Sequence, residues 1–194
     1  MRDLIKMIVV LTVICTTSGV VLSYVNQATK EPREYQYIKF VQEPSIKAVL
    51  SGYENDPVKD RMQLAMGEDQ EGRTIETTVF PAKKDGKTFE VAYSSTAKGY
   101  HDLIEVMVGV RADGKLTGIS IMTHTETPGL GARIVESQFT DQFKGLDLET
   151  AKLPAEGGKV DALSGATFST VGVINAVDTA LERFPQIKKE VFQP

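Results

Sequence analysis

The 194-residue chain has no tryptophan, one cysteine and two histidines. A single cysteine excludes a disulfide within the chain. With two histidines, it also leaves too few ligands for an iron–sulfur cluster or a structural zinc site made by this chain alone. The formal charge of −4 argues against a general affinity for nucleic-acid phosphates, so no nucleic-acid partner is expected. Internal repeats and low-complexity tracts are absent. What remains, 41% hydrophobic and 25% charged, is the composition of a folding chain. Any redox chemistry therefore needs a borrowed organic cofactor.

Charge is missing from one long stretch, between Lys6 and Lys30. Within it, residues 7–25 would span about 28 Å as a helix, close to the roughly 30 Å hydrocarbon core of a bilayer. Thr12, Thr16, Thr17 and Ser23 weaken the run, but hydroxyls bond back to the helix. Arg2 and Lys6 precede it, while Lys30, Arg33 and Lys39 follow, so charge alone does not orient it. The short leading tail and long trailing chain favour a cytoplasmic N-terminus and an extracytoplasmic soluble part. A cleaved signal peptide would have a shorter apolar core and a small-residue cleavage site, and no clear one follows. Ile14 before Cys15 makes a poor lipoprotein site. Residues 1–30 are thus expected to form a single-pass anchor in the inner (cytoplasmic) membrane.

Residues 31–73, rich in charge, proline and glycine, read as a connector with one or two short helices, the clearest at 57–66. From Thr74 the pattern changes. Residues 74–82 and 87–95 flank Lys83-Lys84-Asp85-Gly86, and Asp-Gly is a hairpin signal. Residues 101–111 and 115–123 flank Ala112-Asp113-Gly114, a second hairpin. Its strong apolarity predicts a central place in the sheet, and Tyr93 and Tyr100 read mainly as ordinary hairpin residues, with stacking on a bound ring the lesser alternative. Val135, Phe139 and Phe143 fit helical spacing. Residues 168–184 read as a helix with Val171, Ile174, Val177 and Leu181 on one face, stopped by Pro185. The expectation is an α+β domain over 74–194 with a mainly antiparallel sheet and flanking helices.

The most informative stretch is Asp161-Ala162-Leu163-Ser164-Gly165-Ala166-Thr167, directly before that helix. Gly165 and Ala166 leave little bulk, so another molecule can approach the backbone. The helix N-terminus offers unpaired N–H groups and a partial positive charge, suited to a phosphate. Ser164, Thr167, Ser169 and Thr170 add hydroxyls. Two readings stand on the residues alone: helix capping by Ser or Thr, or binding of an anion. Ser164 lacks the glycine two residues before it that a hydrolase nucleophile elbow requires.

These residues resemble the D-x-x-S-G-A-T acceptor signature of the FMN-binding domains in the G subunit of Rnf electron-transport complexes. The C subunit of the sodium-translocating NADH:quinone reductase carries it too. Upstream, His124-Thr125-Glu126-Thr127-Pro128-Gly129-Leu130-Gly131 resembles the family's H-x-E-T-P-G-L-G loop. By itself that stretch reads as a turn at Pro128-Gly129. The resemblance implies FMN joined through its phosphate to Thr167 by a flavin transferase, with Asp161 as the transferase's recognition residue. Ser164, Gly165 and Ala166 would form the tight loop. Glu126, Thr127, Pro128, Gly129, Leu130 and Gly131 would face the flavin, with Glu126 or Thr127 bonding its polar edge. It further implies electron relay in an ion-translocating ferredoxin:NAD oxidoreductase complex, beside other membrane and iron–sulfur subunits. The alternative is a non-redox extracytoplasmic module binding an anionic ligand at the helix N-terminus after residue 166.

Overall fold

The computed structural model describes residues 2–68 and 74–192. The chain folds as two compact units, Met1–Phe40 and Val41–Pro194. The first contains helix α1 (Arg2–Ala28) and the short helix α2 (Lys30–Tyr37). The 27 residues of α1 bury no side chain, and its most apolar window has a mean hydropathy of 2.2. Among the described residues it is the one helix long and apolar enough to cross a membrane. Thr12 Oγ1 donates to Ile8 O at 2.8 Å, so at this position the hydroxyl is satisfied by the helix itself.

The second unit is built on an antiparallel sheet of five strands in sequential order. They are β1 (Met62–Glu68), β2 (Thr74–Lys84), β3 (Lys87–Lys98), β4 (Leu103–Arg111) and β5 (Leu116–Thr123). Helix α3 (Glu43–Val49) covers one face, packed with Phe80, Ala92 and Met107. The other face carries the larger core, closed by short turns and by helix α5 (Thr167–Val191). The alternation along β3 and β4 explains the layering. Val91 and Tyr93, with Val106, Val108 and Val110, face α5, whereas Ala92 and Met107 face α3. Tyr93 is fully buried and its hydroxyl donates to Ala180 O at 2.8 Å, pinning α5 to the sheet. Burial pushes that phenol far above its ordinary pKa.

The first hairpin forms as its Asp-Gly pair predicts. Asp85 and Gly86 both take positive φ (51° and 74°), the requirement of a type I′ turn. Other expectations need correction. The compact unit begins at Val41, well before Thr74. No helix forms over 57–66: Asp56 caps a turn over residues 57–60, and Met62–Glu68 is a strand. Met62, Leu64 and Met66 alternate with Gln63 and Ala65, a period of two, and Leu64 and Met66 pack on the larger core. The last part of the expected connector, residues 69–73, lies outside the described residues.

The second hairpin is not central, because β5 is an edge strand. Its apolarity reflects cover on both faces, by α3 and by the turns after residue 130, with Leu116 also bonded to the 145–146 loop. Residues 131–143 form three short pieces: a 3-10 turn (Gly131–Val135), α4 (Ser137–Thr140) and a second 3-10 turn (Asp141–Phe143). Phe139 and Phe143 are buried edge to face at 5.5 Å, and Ile134 takes the inward place expected of Val135. Pro185 does not stop α5. An interior proline costs about 3 kcal/mol. Buried Ile187 and Val191, and Phe192 against the Phe184 ring, hold the helix together beyond it.

Glu90 gives a first stability prediction. It is 6% exposed, opposite Arg111, with one oxygen 3.4 Å from the Ser51 N–H. Burial raises its carboxyl pKa, outweighing the Ser51 N–H and Arg111. The folded pKa lies above the unfolded one, so the ionised group destabilises above the folded pKa. That penalty disappears as pH falls below the unfolded value. Glu90→Gln is expected to raise the melting temperature at pH 7 by about 2 °C. The gain should shrink to nothing near pH 4 in melts followed by circular dichroism.

Candidate functional site

Three loops meet at one end of the sheet: 99–102 between β3 and β4, 124–130 after β5, and 161–166 before α5. Two of them contain a tight turn. Leu130 N donates to Thr127 O at 3.2 Å around Pro128 and Gly129, whose φ is +75°. That is a type II turn with proline and glycine at their preferred places. Ala166 N donates to Leu163 O at 2.9 Å around Ser164 and Gly165, whose φ is +77°. The turns face each other: a Cβ on Gly165 would stand 3.3 Å from Leu130 Cδ2.

Between them lies a cleft of about 310 Å³, lined by Tyr100, Glu126, Thr127 and Leu130 and by residues 165–169. That volume is within the range of small-molecule sites. Helix α5 opens onto it with no side-chain cap. Thr170 N reaches Ala166 O, while Thr170 Oγ1 accepts from Leu163 N and donates to Ala166 O, both at 3.1 Å. The amides of Thr167, Phe168 and Ser169 therefore have no intrahelical acceptor. Of the two readings of this segment, capping by Ser164 or Thr167 is not what forms. Thr167 is exposed at the mouth of the open helix end. Ser164 and Asp161 are exposed too, and Asp161 N–H donates to Gln142 Oε1 at 2.8 Å.

Two aromatic rings from distant parts of the chain complete the wall. Phe168 is 71% and Tyr100 61% exposed, with ring centroids 6.1 Å apart. Sequence reasoning read Tyr100 mainly as a hairpin residue, with ring stacking the lesser alternative, and Phe168 only as part of an apolar helix. Gly99 was missed, whereas Ser169 was already among the candidate hydroxyls, though not as a partner of Glu126. An aromatic directly after Thr167 was the available signal.

Glu126 lies behind this wall, 4% exposed. Oε1 accepts from the N–H groups of Tyr100 (2.9 Å) and His101 (3.3 Å), and Oε2 accepts from Ser169 Oγ at 2.5 Å. Its own N–H donates to His124 Nδ1 at 3.2 Å. Gly131 is buried and makes its close approach to Ser169 and Glu126, where a Cβ would meet Oγ at 2.5 Å and Oε2 at 2.7 Å.

An uncapped helix end, an exposed hydroxyl and an aromatic-walled cleft on an α+β domain suit, in shape and charge, a phosphate-bearing ring compound. Residues 99–182 match the family model described as FMN-binding domain. The G subunit of the ion-translocating oxidoreductase complex of Methanosarcina acetivorans is 40% identical over 85 residues, 43% of this chain and 45% of that protein. The corresponding G subunit of Cereibacter sphaeroides is 31% identical over 149 residues, 73% of this chain and 66% of that one. The chain thus spans between 45% and 66% of the length of these two relatives. The G subunit of the proton-translocating ferredoxin:NAD(+) oxidoreductase complex of Clostridium ljungdahlii is 28% identical, covering 89% of this chain and 87% of that one. In fold, the chain is similar to the C subunit of the Na(+)-translocating NADH-quinone reductase from Parabacteroides distasonis. The TM-score is 0.53 at 18% identity, over 73% of this chain and 79% of that one. Residues 99–182 thus match the FMN-binding-domain family, and the chain is similar to the G subunits of ion-translocating oxidoreductase complexes.

Proposed function

We propose that this chain is a membrane-anchored flavoprotein subunit that relays electrons through covalently bound FMN in an Rnf-type complex. The observation that carries the reading is Thr167: an exposed hydroxyl on an uncapped helix end, at the wall of a cleft. Thr167 Oγ1 would hold FMN as a phosphoester. The transferase would move the FMN phosphoryl group from a flavin dinucleotide, breaking its pyrophosphate bond. The other half would leave as a nucleoside monophosphate, and the hydroxyl would lose its proton. The open amides of the first turn of α5 and its partial positive charge stabilise that phosphate. Gly165 and Ala166 leave room beside it, and Ser164 lies on the same turn. Thr127 and Leu130, at either end of the Pro128-Gly129 turn, form the opposite wall, with Tyr100 and Phe168 offering ring faces. FMN supplies reversible storage of electrons, and the chain holds and insulates it. The phosphoester keeps the cofactor from being lost.

Residues 1–30 serve as the anchor, crossing the inner membrane once through α1, with the flavin domain extracytoplasmic. The relatives' names describe complexes that move ions, and in one of them electrons pass between ferredoxin and NAD. The partners are therefore the other membrane and iron–sulfur subunits, and a flavin transferase that recognises Asp161 during maturation.

The test is production of the full chain with and without a flavin transferase of this family, followed by denaturing gel electrophoresis under ultraviolet light. The expected result is a fluorescent band only with the transferase. A native protein that binds its anionic ligand reversibly, and never gives that band, would instead be a non-redox binding module.

A further inference from the structure

We infer that Glu126 is a positioning residue: a fixed negative charge, held in a cradle behind the cofactor cleft, that disfavours reduction of the bound group. The inference rests on the reading that FMN occupies the cleft. The resemblance implied that Glu126 or Thr127 bonds the polar edge of the flavin. In the structure both Glu126 carboxylate oxygens already accept hydrogen bonds within the protein, from Tyr100 N–H, His101 N–H and Ser169 Oγ.

The cradle draws on three segments far apart in sequence. Loop 99–102 gives two backbone donors, and the first turn of α5 gives a hydroxyl. Two glycines clear the space. A Cβ on Gly99 would overlap Glu126 Oε1, and one on Gly131 would stand 2.7 Å from Oε2. Two N–H donors and one O–H donor suit an ionised carboxylate. No salt bridge to Glu126 occurs among the described residues. The charge is therefore held by dipoles and not cancelled by a neighbouring cation. It sits 4% exposed in the lining of the cleft, where screening by water is weak. An electron delivered to the cofactor adds negative charge beside this anion, so the carboxylate lowers the tendency to accept it.

Glu126→Gln separates the charge from the geometry. The amide oxygen still accepts from Tyr100 and His101, and the NH₂ donates to Ser169 Oγ, whose hydroxyl can turn. In a redox titration of the flavin-loaded full chain in detergent, at a fixed potential near the wild-type midpoint, the variant's reduced-to-oxidised ratio should rise about tenfold. Glu149→Gln removes an exposed carboxylate that does not line the cleft and should leave that ratio within about twofold. An unchanged ratio in a loaded Glu126→Gln chain overturns the inference. Hydrogen exchange on the unloaded wild-type chain tests the cradle independently. The Tyr100 and His101 amides should be protected, and Ser169→Ala should speed their exchange. Unprotected amides overturn the cradle even if Glu126→Gln fails to fold. A wild-type chain that never acquires flavin refutes the proposed function, and the exchange measurement still decides the cradle.

Discussion

Thr167→Ala is expected to abolish covalent flavin completely while leaving the fold intact. Thr167 is exposed and caps nothing, since α5 has no side-chain cap. Removing its hydroxyl leaves no buried donor or acceptor unpaired. Alanine is also the better helix former, by a few tenths of a kcal/mol. Substitutions at such exposed positions stay within about 0.5 kcal/mol of the parent. The unloaded variant should therefore melt within about 2 °C of the unloaded wild type. Thr167→Ser keeps a hydroxyl at the same place and should retain some fluorescence on the gel. Thr167→Ala protein that unfolds would make the residue structural and would remove the basis for an acceptor role.

The largest loss of stability is expected from Gly172→Ala. By propensity alone this change in the body of α5 should stabilise, by about 1 kcal/mol. Packing opposes it. A Cβ at Gly172 would meet Gly99 Cα at 2.8 Å and Lys98 O at 2.9 Å. These are backbone atoms, which cannot rotate away. Overpacking of this kind costs about 1–3 kcal/mol, and more where neighbours cannot move. The net expectation is a loss of about 2 kcal/mol and a melting temperature lower by about 4–8 °C. Because the helix would be pushed from the loop that carries the Tyr100 N–H, the Glu126 cradle should open as well. Asn175→Ala, on the exposed side of the same helix, should change stability by less than about 0.5 kcal/mol. A Gly172→Ala chain more stable than its parent would contradict the close helix–loop contact.

Local chemistry made parts of this fold legible in advance. Asp85-Gly86 specifies its own turn, and Pro128-Gly129 its own bend, because the required φ values are set by the residues themselves. The apolar stripe of α5 and the uncharged run of α1 are also patterns of single elements. What was misread depends on distant partners. β1 was hidden in a stretch rich in charge, although Met62, Leu64 and Met66 alternate. The apolarity of β5 indicated cover on both faces, which a central strand and a covered edge strand share. Pro185 is tolerated because Ile187 and Val191 are buried against residues far away in the chain. At the candidate site, both motifs were visible. The structure brings Glu126, Thr127, Leu130, Gly131, Gly165, Ala166 and Thr167 around one cleft and leaves Pro128, Gly129, Ser164 and Asp161 out of its lining. The engagement of Glu126 was not visible, since its donors lie at residues 100, 101 and 169. Nor was the pairing of the exposed Tyr100 and Phe168 rings, which only the crossing of α5 over the β3–β4 loop brings together.

The central claim is a phosphoester at one hydroxyl. Trypsin should release residues 160–183 as one peptide containing Thr167, between Lys159 and Arg183. Mass spectrometry of that peptide, from chain produced with a flavin transferase, should show an added mass of FMN less one water. Fragmentation should assign it to Thr167. An unmodified peptide, or the same addition on Ser164, Ser169 or Thr170 with Thr167 bare, would contradict the account.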